Sequence, residues 1–142
     1  MTEHAGVAWS DVNENQELPP LTFEVTLATL AKDVAGTRDI YPIHHDPEFA
    51  RANGARDIFL NTMWYQGFLG RYVTDWGGSN SFVRKLGFDM RGTCCPGDTL
   101  TVHGTVLGTT EMDDKKLVDL DVRIDTQHQS DAITAKLTLE LT

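Results

Sequence analysis

Leu21, Phe23, Val25 and Leu27 alternate with Thr22, Glu24 and Thr26, a period of two that predicts a strand with one buried face. Residues 29–45 follow without clear periodicity. A short helix is predicted next. Asp46 suits the N-cap, Pro47 the first helical position and Gly54 the stop, with Phe49 and Ala50 turned inward. The most apolar stretch, Ile58 to Trp76, does not alternate. Its bulky residues fall on nearly every side of a helical wheel, and it is far too long for a strand. It reads as a helix that is apolar all round, which must be surrounded by protein, and Gly77 and Gly78 end it.

The remainder reads as β. Leu86, Phe88 and Met90 alternate, Pro96-Gly97-Asp98 turns the chain, and Leu100, Val102 and Val106 alternate across Gly104, a candidate bulge. Residues 111–116 form a polar hairpin connection. Val118 to Ile124 alternate cleanly, and Ile133, Ala135, Leu137, Leu139 and Leu141 complete the sheet. The last connections are too short for crossovers, so the strands are antiparallel. One sheet with one apolar face, plus one helix apolar all round, is solved economically by wrapping the sheet around the helix. The expected fold class is α+β, a single hotdog fold: an antiparallel sheet around a long central helix. One copy leaves helix surface and a sheet edge uncovered, so pairing with a second hotdog is expected.

The 142 residues, 40% hydrophobic and 23% charged, fit one globular domain that needs no metal or disulfide staple. Residues 1–20 carry Glu3, Asp11, Glu14 and Glu17 and neither Lys nor Arg, and end in Pro19-Pro20. They read as an acidic, loosely held arm with Trp9 as its anchor, ahead of a domain over 21–142. With 12 basic and 21 acidic residues the net charge is −9, which disfavours nucleic acid and anionic membrane surfaces as partners. The N-terminus lacks a basic region followed by an apolar run, and residues 58–70 are too few and too polar to span a bilayer, so the chain is expected in the cytoplasm. Cys94 and Cys95 are adjacent, a poor geometry for a bridge, and read as small side chains at a loop–strand junction.

Of five histidines, His4, His103 and His128 read as solvated. His44 and His45 differ, because they sit in Arg38-Asp-Ile-Tyr-Pro-Ile-His-His-Asp46, just ahead of the short helix. A carboxylate and an imidazole held close, Asp39 and His44, can grip one water and share its protons, the minimum equipment for adding water across an activated double bond. Charge then builds on a thioester oxygen, which the free N–H groups at a helix N-terminus can stabilise. The bland alternative is a local Asp–His hydrogen bond in a loop. Adjacent histidines do not easily face one ion, so no metal site is expected. Neither a phosphate loop nor a G-x-S-x-G elbow is present.

Asp39-Ile-Tyr-Pro-Ile-His44-His-Asp46 resembles the hydratase motif Asp-x-Asn-Pro-x-His-x-Asp of MaoC-like, R-specific enoyl-CoA hydratases. The resemblance covers roughly residues 21–141 and implies a hotdog fold. It implies that Asp39 and His44 activate the water, and that the backbone N–H at Thr62, preceded by Asn61, is the oxyanion donor. Arg38 stands where the family has Gly, Tyr41 where it has Asn, and Asn61-Thr62 where it has His-Gly. If Asn61 caps the long helix, the Thr62 N–H is free; if Asp57 caps it, that N–H is bonded within the helix. Thr37-Arg-Asp39, Asp57-Ile-Phe-x-Asn61 and Arg71-Tyr-Val-Thr-Asp-Trp76 further resemble the small MaoC-like subunit of actinobacterial steroid side-chain hydratases. That resemblance implies a steroid enoyl-CoA substrate. It also implies a second, larger MaoC-like subunit in an α2β2-like heteromer, the other expectation being a homodimer.

The expectation is therefore an enoyl-CoA hydratase, a hydro-lyase acting on an acyl-CoA, in which coenzyme A belongs to the substrate and no cofactor is needed. Arg38, Tyr41, Asn61, Arg84, Lys85 and Arg91 are candidate substrate contacts, the cations for the CoA phosphates; a solvated basic edge explains Arg84, Lys85 and Arg91 equally well. The other readings are a hotdog acyl-CoA thioesterase and a non-catalytic hotdog partner or acyl-binding subunit.

Overall fold

In the computed structural model, which describes residues 6–142, the chain runs β1 (Glu17–Glu24), α1 (Leu27–Thr37), α2 (Pro47–Ala52), α3 (Thr62–Gly77), β2 (Phe82–Met90), β3 (Thr99–Met112), β4 (Lys115–Thr126) and β5 (Ile133–Leu141). The five strands form one sheet in the order β1-β3-β4-β5-β2, antiparallel throughout. Asp113 and Asp114, both at positive φ (52° and 62°), make the tight β3–β4 turn, which matches the twist of the paired strands. The alternation seen in the sequence is the burial pattern of the strands. Leu100, Val102 and Val106 of β3, Val118, Leu120, Val122 and Ile124 of β4, and Ile133, Leu137 and Leu139 of β5 are all buried. Against this face lie Tyr65, Phe68, Leu69, Tyr72 and Val73 of α3. This is the hotdog arrangement.

Three expectations change. The first strand begins at Glu17, inside the stretch read as an arm, and Leu27 is not in it: Leu27 opens α1 and is 68% exposed. The described residues before β1, 6–16, are held by the Val7 N–H donating to the Trp76 carbonyl (3.0 Å) and by Asn15 and Gln16 pairing with Val106. Helix α1 carries no sequence periodicity because an acid, Asp33, occupies an inward position beside Leu30. Its start is set by Thr26 and Thr29, whose hydroxyls accept each other's backbone N–H. Gly104 is no bulge. It pairs with Leu18 and Val122, the irregularity in β3 lies between Val106 and Gly108, and a methyl at Gly104 would sit 3.0 Å from the Tyr72 ring.

The long helix also differs. Ile58 to Leu60 enter extended, with Ile58 and Leu60 buried, and the helix proper starts at Thr62 with Asn61 as N-cap. It is not surrounded on all sides. Thr62, Met63, Gln66, Gly67, Arg71 and Asp75 form an exposed stripe, so α3 covers the sheet with one face and leaves the other open. The short helix is as expected: the Asp46 Oδ1 accepts from the Glu48 and Phe49 N–H groups, Pro47 is first, and Gly54 follows at φ 85°. Both cysteines are free and buried, and burial pushes the Cys94 thiol up to about 11. Among the described residues no helix is long and apolar enough to cross a membrane.

Candidate active site

Helix α1 delivers the chain to the site. Arg38 takes the left-handed conformation at its C-terminus (φ 58°) and reverses the backbone, so that Asp39 turns back toward the body of the protein. A 3-10 turn over Pro42–His44 then carries His44 inward, where it is 8% exposed, while Asp46 starts α2. Both side chains therefore come from one nine-residue loop, 38–46, closed at both ends by helix caps.

The His44 Nδ1 lies 2.7 Å from the Phe59 carbonyl oxygen. A carbonyl only accepts, so Nδ1 carries the hydrogen and Nε2 presents a lone pair in the neutral ring. That Nε2 faces the Asp39 Oδ2 at 3.4 Å. Both facing atoms are acceptors. The gap is long for a direct hydrogen bond and short enough for one water to touch both. The other carboxylate oxygen, Oδ1, accepts the Tyr41 N–H at 3.3 Å, which fixes the rotation of the Asp39 side chain. The Asp39 side chain is 27% exposed, so the pair is buried on the imidazole side and open on the carboxylate side.

The same loop is tied to the start of α3. Phe59, which orients His44, stands three residues before Thr62. Asn61 caps the helix, its Oδ1 accepting the Trp64 N–H at 2.9 Å. The Thr62 and Met63 N–H groups occupy the first turn, where no intrahelical acceptor exists. Asp57 is not the cap; its Oδ1 accepts the N–H of Ile58 instead.

Beneath this lies Asp33, 3% exposed, whose Oδ2 accepts the Asn61 N–H at 3.0 Å and whose Oδ1 has no hydrogen-bond partner among the described residues. Burial raises its carboxyl above the ordinary value of 3.8; the Asn61 N–H and the nearby His44 ring act the other way, and Asp39 adds to the rise. An acid raised in the native state binds its proton more tightly folded than unfolded. Its favourable contribution is full below the unfolded value and is lost as pH rises through the raised native value. Asp33→Asn has no such proton to lose. Relative to wild type it is expected to be more stable at neutral pH, with the advantage shrinking toward about pH 3. Thermal melts from about pH 3 to pH 8 check this, and a difference independent of pH would contradict it.

The other sequence candidates separate. Tyr41 is exposed beside the pair, its ring edge-on to Phe49 (5.6 Å). Arg38 serves through its backbone, and no ion pair joins it to Asp39 among the described residues. Asn61 is 2% exposed with its side chain spent on the cap and on Thr37, so it braces the site from within. Arg84 pairs with Glu140 and lies over the Phe82 ring, Lys85 is exposed on β2, and Arg91 follows the end of that strand. None of the three is hydrogen-bonded or ion-paired to Asp39 or His44 among the described residues. His45 is bonded to the Ile40 carbonyl, His103 faces Asp125 and His128 faces Asp98, while His4 lies outside the described residues. Among the described residues no three His, Cys, Asp or Glu side chains gather as a metal site.

Two of the hollows bear on the candidate residues. One of about 660 Å³ lies on the outer sheet face, where Arg123 and Lys136 are already paired with Asp121. The other, about 450 Å³, runs between α1 and α3, is lined by Phe23, Trp64 and Phe68, and also reaches Asp33 and Thr37. The second abuts the residues that support the pair. The sequence reading missed Asp33 and named Thr37 only within the Thr37-Arg-Asp39 resemblance, without a role; the paired threonines at 26 and 29 were the available signal for the helix that carries both.

Known proteins resemble the chain over most of its length. A model of the MaoC like domain family matches residues 16–128. The beta subunit of the 3-oxo-4,17-pregnadiene-20-carboxyl-CoA hydratase of Mycobacterium tuberculosis is 32% identical over 94 residues, 66% of this chain and 73% of that protein. Among solved structures, a chain of the ChsH1-ChsH2 complex from Mycobacterium tuberculosis superposes with a TM-score of 0.85 at 28% identity, covering 92% of this chain and 98% of that one. An (R)-hydratase from A. caviae involved in PHA biosynthesis superposes with a TM-score of 0.76, covering 93% and 98% respectively; at 24% identity that likeness speaks for the fold alone.

Proposed function

The chain belongs to the MaoC-like domain family and is an enzyme of its hydratase/dehydratase type, and from that premise we propose that it hydrates an α,β-unsaturated acyl-CoA thioester through Asp39, His44 and the Thr62 N–H. The observation that carries this reading is the pair of facing acceptors, Asp39 Oδ2 and His44 Nε2, 3.4 Å apart. A water held between them donates one hydrogen to each. As its oxygen bonds to the β-carbon, one acceptor takes the proton that leaves, the double bond's electrons move to the thioester oxygen, and the α-carbon is protonated in return. The negative charge formed meanwhile sits beside the N-terminal turn of α3. No cofactor enters the balance; coenzyme A arrives and leaves as part of the substrate.

The similarity to a hydratase subunit named for a pregnadiene carboxyl-CoA supports a steroid side-chain enoyl-CoA as substrate. The hollow between α1 and α3, with Phe23, Trp64 and Phe68 in its wall beside Lys32 and Arg71 and of the size usual for ligand sites, fits a bulky acyl body. The similarity to a chain of a two-component complex supports a second hotdog subunit as partner. The β2 edge of the sheet is a surface available to it. In that assembly this chain supplies the acid and base, and the partner supplies phosphate contacts that Arg84, engaged with Glu140, does not offer.

The test is to co-express the chain with candidate MaoC-like partners and present the purified complex with steroid and straight-chain enoyl-CoAs. The expected product has gained one water with its CoA attached, and the steroid thioester is the better substrate. Free CoA thiol as the product would make it a thioesterase. Preference for short linear substrates would remove the steroid assignment and leave hydration intact.

A further inference from the structure

Thr37, the last residue of α1, joins three parts of the site through one hydroxyl. It donates to the Asp33 carbonyl (2.7 Å), accepts from the Asn61 Nδ2 (2.7 Å), and accepts from the Asp39 N–H (3.3 Å). That uses the single donor and both lone pairs of a hydroxyl. Asn61 is equally committed: its N–H goes to Asp33 Oδ2, its Nδ2 to Thr37, and its Oδ1 takes the Trp64 N–H. Residues 24 and 28 positions apart in the chain are thus locked at a part-buried to buried junction, where a lost partner is costly.

We infer that Thr37 is a positioning residue, whose hydroxyl holds the backbone of Asp39 in register with the Asn61-capped N-terminus of α3. The inference rests on the hydratase reading for its catalytic meaning, while the linkage itself stands on the hydrogen bonds. The acid loop and the helix turn that carries the Thr62 N–H have no covalent connection shorter than residues 40–61. Their spacing must match a substrate whose β-carbon meets the water while its thioester oxygen meets the helix. A hydroxyl that serves both sides sets that spacing, and Asp33 holds the helix side from below through the Asn61 N–H. Side chain and helix caps alone fix each part internally but not one against the other.

Thr37→Val has nearly the same shape and no hydroxyl; Thr37→Ser keeps the hydroxyl; Asn61→Ser keeps a capping oxygen and removes the amide that reaches Thr37. In the purified hydratase, Thr37→Val is expected to lower kcat roughly 10- to 100-fold with KM within about threefold, the scale on which small misplacements act. Thr37→Ser is expected to return kcat to within about threefold of wild type, because the hydroxyl is restored. Asn61→Ser should fall as Thr37→Val does, and the double variant Thr37→Val/Asn61→Ser should be no worse than the poorer single one, since both cut the same link. Amide hydrogen exchange gives an independent reading: the Asp39 and Asn61 N–H groups should exchange about tenfold or more faster in Thr37→Val and at the wild-type rate in Thr37→Ser. A folded Thr37→Val protein with wild-type kcat, a Thr37→Ser protein as poor as Thr37→Val, or additive losses in the double variant would overturn the inference. If Thr37→Val does not fold, Asn61→Ser with unchanged kcat and exchange overturns it. If the wild type hydrates no enoyl-CoA, the functional reading falls, and the exchange rates still decide the linkage.

Discussion

Asp39→Asn and His44→Ala are each expected to reduce enoyl-CoA hydration by roughly two to four orders of magnitude, the range for loss of a positioned acid or base. The two act differently. In Asp39→Asn the side-chain oxygen can still accept the Tyr41 N–H, which leaves the amide nitrogen facing the His44 Nε2 across the 3.4 Å gap. A donor there bonds the imidazole directly and closes the slot that holds the water. The loss should fall on kcat, and because Asp39 is partly exposed the melting behaviour should be close to that of the wild type. In His44→Ala a ring is removed from a buried position, and the Phe59 carbonyl loses its donor. Stability should fall as well, by about 1–3 kcal/mol for the unsatisfied carbonyl and the lost packing. Steady-state kinetics with thermal melts on both variants check the pair of outcomes. Hydration at near-normal rates by both proteins would remove the proposed chemistry.

Thr62→Pro is expected to lower kcat by roughly 100- to 1,000-fold, the scale for removing one oxyanion donor, while leaving the fold in place. Proline lacks the N–H and is well tolerated at the first helical position, where that N–H has no intrahelical acceptor. The preceding residue must then be extended, and Asn61 already is, at φ −84° and ψ 170°. The Thr62 side chain is exposed, so its loss carries little packing cost. Thr62→Ala keeps the N–H and is the matched control, with kcat close to wild type. If Thr62→Pro melts normally and turns over within about threefold of Thr62→Ala, far short of the loss of an oxyanion donor, the donor is a different N–H, and Met63 is the next in the same turn.

Much of this was legible in the sequence, for reasons that differ by element. The Asp46-Pro47 start of α2 and the Asn61 cap of α3 are signalled within three residues of the helix end, because a cap is a local hydrogen bond. β4 and β5 are legible because the sheet buries one face and a period of two follows directly. Helix α1 was not, because its inward face carries Asp33, and an acid at a core position erases the periodicity that marks a helix. The extent of α3 was overread at its start: Ile58 and Leu60 are apolar because they are buried in an extended lead-in, which composition does not distinguish from a helical turn.

At the site the division is sharper. The sequence by itself determined the proposed pair, Asp39 and His44, their spacing in one loop, and the Asp46 cap that closes it; the Arg38 cap at the other end belongs to α1, which it did not show. All of these depend on neighbours a few positions away. Only the tertiary structure decided which imidazole nitrogen faces the acid, since that follows from the Phe59 carbonyl 15 residues on. It likewise decided that Asn61 is a buried brace, since that follows from Thr37 and Asp33, 24 and 28 residues back. A hydrogen bond between distant segments leaves no periodic trace in either of them. It exists only once the apolar faces of the sheet and of α3 have packed and brought its donor and acceptor to within 3 Å.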